Sequence, residues 1–189
     1  MPADENELIA AFQRGSVAAG EQLVDLYWDR VYSFAYRLSL NQFDAEDIAQ
    51  ETFLRALSKI SDYAPTGKFG SWLIKIASNI FTDSKKASRS RDITGEVAAQ
   101  GSDERTPDKA LEQKELVYAV EAAMMSLSKE QRTVLLLKTM EHLEYNEIAS
   151  MLNTKEATVR WYMHEARRVL RQKLSKRFDL ESMGDEPNR

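Results

Sequence analysis

Apolar residues recur along most of this chain at intervals of three and four, the period of helices that bury one face. The clearest case lies between Leu143 and Lys176. There Leu143, Ile148, Ala149 and Leu152 mark one short helix. Val159, Met163, Ala166, Leu170 and Leu174 mark a second, longer one. Between them stand Asn153, which tolerates the left-handed backbone of a tight corner, and Thr154, a good N-cap for the second helix. Two helices joined by so short a turn, with small Ala149 at their crossing, predict a helix-turn-helix.

The same period predicts helices upstream. One covers residues 4–14, with Leu8, Ile9 and Phe12 inward, and a break follows from Gly15 to Gly20. A long helix over 21–39 carries Leu23, Leu26 or Tyr27, Val31, Phe34 and Leu38. After a turn at Asn41–Phe43, Asp44 is placed to cap a helix over 45–60 that turns Ile48, Phe53 or Thr52, Leu57 and Ile60 inward. A loop with Pro65 and Gly67 leads to a helix over 69–84. Ser90 to Pro107 has no apolar period, is rich in Ser, Asp, Glu and Gly, and reads as a flexible linker. Thr106 and Pro107 then suit the N-cap and first position of a helix over 108–126, with Leu111, Leu116 or Glu115, Val120, Ala123 and Leu127 inward. Ser128 and Gln131 form a capping-box pattern ahead of a short, very apolar helix. The expected fold is all-α. It has two small helical domains, 1–89 and 108–177, joined by a linker at 90–107 and followed by an acidic tail at 178–189.

Charge changes this picture from an architecture to a pair of surfaces. The chain has 189 residues and net charge −4, yet Lys155 to Arg177 carries eight Lys/Arg against Glu156 and Glu165. Arg160, His164, Arg167 and Arg171 line up beside the apolar stripe, as phosphate and base-edge contacts would require. Trp161 falls roughly opposite the core stripe, where an ordinary solvated basic face would not need it. A second basic patch is Lys85, Lys86, Arg89 and Arg91. It follows Phe69 and Trp72, with Lys75 and Asn79 between: rings for stacking and cations for a backbone, the needs of an unpaired strand. Phe69 also reads well as plain core. Conversely, residues 1–51 carry ten Asp/Glu and three Arg. Asp44, Glu46, Asp47 and Glu51 crowd one helix start. Helix-dipole chemistry accounts for the first turn only, and Glu51 lies beyond it, so a docking face for a basic partner is expected.

The remaining chemistry is mostly exclusion. No Cys and two His leave no thiolate zinc site and make a histidine-based one improbable. There is no Gly-rich phosphate loop, no HExxH and no nucleophile–base pattern, so no enzyme and no cofactor are expected. No apolar run approaches a membrane span, and the N-terminus MPADENELIAAF does not read as a secretion signal, so a cytoplasmic setting is expected.

Three stretches together resemble the extracytoplasmic-function (ECF) sigma factors of the bacterial sigma-70 family. DAEDIAQETFLRAL (44–57) and FGSWLIKIASN (69–79) resemble family region 2, and residues 127–174 resemble region 4. The resemblance implies a sigma factor that binds core RNA polymerase and promoter DNA, and that is held in check by an anti-sigma factor. By family position, Asp44, Asp47, Gln50 and Glu51 would dock on the β′ clamp helices, and region 4 would meet the β flap. Tyr63, Lys68, Phe69, Trp72, Lys75, Asn79, Lys85 and Lys86 would meet the −10 element, with a base flipped against Asn79 and the Tyr63–Phe69 loop. Lys155, Thr158, Arg160, Trp161, His164, Arg167, Arg168 and Arg171 would meet the −35 element. Two departures stand out. Trp161, Tyr162 and Glu165 replace a small polar and two basic residues that are common in the family, which points to an unusual −35 preference. Glu144 stands where the family favours a Ser or Thr cap. The competing reading is a sensor-type regulator whose helix-turn-helix binds an operator alone. A sensor domain, however, needs neither the acidic cluster nor the aromatic, basic segment.

Overall fold

The structure is a computed structural model and describes residues 4–64, 68–83 and 107–178. Lys85, Lys86, Arg89, Arg91, Pro65, Gly67, Thr106, most of the linker, the Leu111 side chain and the acidic tail beyond Phe178 lie outside the described residues. Within them the fold is all-α. The first half holds α1 (Glu5–Gln13), α2 (Val17–Ser39), α3 (Gln42–Ser58) and α4 (Phe69–Asp83). The second half holds α5 (Pro107–Met125), α6 (Lys129–Thr139), α7 (Tyr145–Met151) and α8 (Glu156–Phe178).

In the first half α2 is the central rod, packed by α1, α3 and α4. Leu8, Ile9, Leu23, Val31, Phe53, Phe69 and Leu73 close its core, and the excess aromatics on α2 serve the helix crossings: Trp28 stacks on Phe53 at 5.8 Å. Two local expectations need correction. The break expected from Gly15 to Gly20 ends at Ser16, which caps α2 by accepting the Ala19 N–H. Gly15 sits at φ +96° and makes the corner, whereas Gly20 is inside the helix because a Cβ there would meet the Phe12 ring at 2.6 Å. The cap of α3 is Asn41 and not Asp44: the Asn41 side chain accepts the Asp44 N–H at 3.0 Å, so the helix starts three residues early.

In the second half Ser128 and Gln131 make the reciprocal capping box. The helix-turn-helix forms between α7 and α8, and Asn153 takes the left-handed corner at φ +50°. Thr154 does not cap α8. The helix begins at Glu156, and the Lys155 carbonyl accepts the first amides, from Thr158 and Val159. Glu144 is a better helix start than expected, because its N–H donates to the Glu147 carboxylate at 2.7 Å. Val159, Met163 and Ala166 are buried as the stripe requires, while Leu170 and Leu174, further along α8, are half-buried. On α5, Leu116 and Val120 are 48% and 40% exposed, against expectation. Ala123 and Leu127 are buried as expected, small Ala119 is buried as well, and α5 packs against α8. Leu57 of α3 is likewise half-buried and Ala56 takes its place.

The halves share one core. Phe34, Leu38, Ile74 and Phe81 cluster with Met124, Leu127, Val134 and Leu137. Arg132, only 8% exposed, crosses this seam. Its guanidinium donates to the carbonyls of Leu38 (2.6 Å), Met124 (3.1 Å) and Leu127 (3.4 Å), and burial alone pulls its pKa below the ordinary arginine value. At the rim Arg30 pairs with Glu141 at 2.6 Å, and Lys129 donates to the Phe81 carbonyl at 3.3 Å.

Candidate nucleic-acid interface

The outward side of α8 collects the residues expected to meet duplex DNA. Lys155, Arg160, Trp161, His164, Arg167, Arg168 and Arg171 are exposed and Thr158 is half-buried. Trp161, 56% exposed, leans on Tyr162 at 5.2 Å between ring centres. So large a ring kept in water, on a helix that buries Val159, Met163 and Ala166 on its opposite side, is surface available to a partner.

Charge on this helix is internally braced. Arg160 gives Nε (2.9 Å) and Nη2 (2.6 Å) to one oxygen of Glu156, and its Cζ lies 4.5 Å from the centre of the Tyr145 ring. Arg168 gives Nε (3.0 Å) and Nη2 (2.9 Å) to Glu165, which also meets the His164 ring at 3.3 Å. The Arg168 hydrogen bond, then His164, hold the Glu165 carboxyl below the usual carboxylate range. Its folded pKa is therefore lower than its unfolded one. The small benefit of the pair is present above the ordinary carboxylate pKa and is lost as pH falls through the depressed value. Glu165→Gln is expected to release Arg168 and His164 toward phosphates. It should tighten binding to unrelated duplex about two- to fivefold at low salt, the scale of one exposed ion pair, and a salt titration of binding would check it. Tyr145 was invisible as a partner of Arg160 in the sequence, since it comes from the preceding helix. Only the spacing of Glu156 to Arg160 hinted at a pair.

In the first half, Trp72, Lys75 and Asn79 share one edge of α4, and Lys68, which immediately precedes the helix, continues the same steps of four, three and four. Lys68 and Lys75 are exposed, Trp72 and Asn79 half-buried. Tyr63 lies 4.8 Å from Trp72 between ring centres. Gln13 pins this loop by donating to the carbonyls of Ile60 (2.8 Å) and Tyr63 (2.9 Å). Phe69 does not join that surface. It is 1% exposed, wedged edge-on against Tyr27 (5.4 Å) and Tyr63 (5.3 Å), and so buttresses the aromatic edge from behind. Lys85 and Lys86 lie outside the described residues.

On the far side of α3, Asp44, Asp47, Gln50 and Glu51 line one wall of a cleft, with Leu54 beyond them. Ser128, Lys129 and Met125 stand across it. Glu51 is paired with Arg55 at 2.7 Å.

A basic helix-turn-helix, an aromatic cationic edge and an acidic face on one all-helical chain fit one family, and sequence comparison decides it. Residues 23–91 match sigma-70 region 2 and residues 118–170 match sigma-70 region 4. The chain is 35% identical to the ECF RNA polymerase sigma factor SigE of Mycolicibacterium smegmatis, over 93% of this chain and 70% of that one. The chain belongs to the ECF sigma factors. It is 33% identical to SigW of Bacillus subtilis, over 88% of this chain and 94% of that protein. The sigma factor RpoE of Bartonella quintana, solved with the anti-sigma factor NepR, has the same fold at a TM-score of 0.62 and 22% identity, over 82% of this chain and 96% of that one. As a sigma-70 family member this ECF sigma factor is a transcription initiation factor. Among the described residues no helix is long and apolar enough to cross a membrane.

Proposed function

We propose that this ECF sigma factor carries core RNA polymerase to promoters through two DNA-reading units, residues 1–89 and 108–177, and has no catalytic step of its own. The observation that carries this reading is the segregation of charge between exposed faces: α8 is cationic and α3 anionic. DNA attracts the first and repels the second, so the second needs a different, basic partner. In this reading α8 enters the major groove of the −35 element. The edge of Lys68, Trp72, Lys75 and Asn79, with Tyr63 beside it, takes the opened −10 strand, where half-buried rings can stack bases and lysines can follow phosphates. Asp44, Asp47, Gln50 and Glu51 dock on the β′ clamp helices. The exposed Leu116 and Val120 of α5 offer apolar surface for the β flap.

The site of action is then the cytoplasm. By analogy with the Bartonella quintana protein and its anti-sigma partner, an anti-sigma factor would act by covering the acidic face and the seam between the halves. The test is transcription from a candidate promoter library with purified core polymerase. Specific start sites that require this chain are expected. Absence of both core binding and specific transcripts would refute the reading.

A further inference from the structure

The guanidinium of Arg160 is held by groups from two different helices, Glu156 of α8 and Tyr145 of α7. We propose that Arg160 is a prearranged guanine reader, and that Glu156 and Tyr145 are positioning residues which set its base preference. The proposal rests on α8 being the −35 reading helix.

A guanidinium carries five N–H donors in a rigid planar fork. One oxygen of Glu156 takes Nε and one hydrogen of Nη2, at 2.9 and 2.6 Å. That edge of the fork is occupied. What remains is the far end, where Nη1 and the second hydrogen of Nη2 point away from Glu156 as a parallel pair. Two parallel donors match the O6 and N7 acceptors that guanine alone presents side by side in the major groove. Adenine replaces one acceptor by an amino donor and would meet the fork with a repulsive contact.

The orientation is fixed from below as well. Tyr145 opens α7, packs against the shared core and places its ring 4.5 Å from the Arg160 Cζ. Lys138 lies 5.1 Å from the same ring and bonds Glu144 at 3.0 Å, which ties the ring to the end of α6. An i,i+4 ion pair for helix stability would account for Glu156 but not for a ring supplied by another helix. Arg160 also lies in the second turn of α8, in the N-terminal part that a recognition helix presents to base edges. An unrestrained arginine surrenders rotamer freedom on binding DNA; this one is already ordered.

The experiment assembles holoenzyme from the full chain and core polymerase, captures promoter fragments with a randomised −35 segment, and sequences the bound fraction. The wild type is expected to select guanine at one position, and Arg160→Ala to lose that selection. Glu156→Gln and Tyr145→Leu should each weaken it about three- to tenfold, the cost of re-ordering one long side chain, while the other positions keep their preferences. Tyr145→Phe keeps the ring and should keep the selection. Thermal melting of each variant separates misfolding from lost reading, since a purely structural pair would lower stability and all positions together. The proposal is overturned if guanine selection survives in both Glu156→Gln and Tyr145→Leu, or does not depend on Arg160. If the wild-type holoenzyme selects no −35 base at all, the reading of α8 fails first and this inference with it.

Discussion

Reversing Asp47 and Glu51 to lysine together is expected to lower affinity for core RNA polymerase by about 100- to 1000-fold, on the scale of 3–4 kcal/mol for charges facing a complementary interface. Both side chains lie on the outward face of α3, one helical turn apart and bordering the same cleft. The buried face of that helix, Ala45, Ile48, Ala49, Thr52 and Phe53, is untouched by the change. The fold should therefore survive. The Glu51–Arg55 pair is lost, but an exposed i,i+4 pair is worth only about 0.3–0.5 kcal/mol. Competition for core polymerase against the wild-type chain measures the effect, with circular dichroism confirming unchanged helix content. The loss should shrink as salt rises, because exposed charges are screened within a Debye length. Equal affinity in the reversed variant would mean that this acidic face is not the docking surface.

Much of the architecture was legible in the sequence because helices advertise themselves locally. The first three residues of the α8 stripe, Val159, Met163 and Ala166, are buried as its spacing demands, Leu170 and Leu174 are half-buried, and Ser128 with Gln131 caps α6 as the motif predicts. The failures share a cause: each depended on an atom far along the chain or on a choice between near-equal neighbours. Gly20 looks like a breaker until the Phe12 ring from α1 fills the space that a side chain would need. Asn41 and Asp44 are both good caps, and the chain uses the earlier one. On α5 the apolar residues are spread over more than one face. Ala123 and Leu127 turn inward as read, but Ala119 joins them and Leu116 and Val120 are left outside, because α5 packs against α8 as well as the core. The candidate DNA residues were legible as charge, but their bracing was not. Nothing local to Arg160 points to Tyr145, and nothing near Phe69 shows that it supports the aromatic edge from within.

Arg132→Met is expected to destabilise the full chain by about 2–4 kcal/mol, because a buried group that loses its partner costs about 1–3 kcal/mol and more than one carbonyl is affected. Methionine keeps the unbranched stem against Leu38 and Leu127 and removes the fork. What the fork does is specific. Leu38 lies in the last turn of α2, where carbonyls have run out of helical amides to accept from, and Met124 lies in the last turn of α5, where its carbonyl also accepts the Leu127 N–H at 3.1 Å. One cation bridges both ends, 2.6 Å from one carbonyl and 3.1 Å from the other, and each helix dipole favours it there. Lysine, with a single ammonium, cannot span them, so Arg132→Lys should fall short of full rescue. Chemical denaturation gives the stability loss. The seam itself can be watched separately. The chain has no Cys, so a fluorophore pair on cysteines introduced at exposed Glu46 and Gln172 reports the distance between the halves alone. In the variant that distance should lengthen or broaden below the denaturation midpoint, since the clamp lost is the one that joins α2 to α5 and α6. Wild-type stability with an unchanged distance would show that the shared apolar core of Phe34, Leu38, Val134 and Leu137 holds the halves without Arg132.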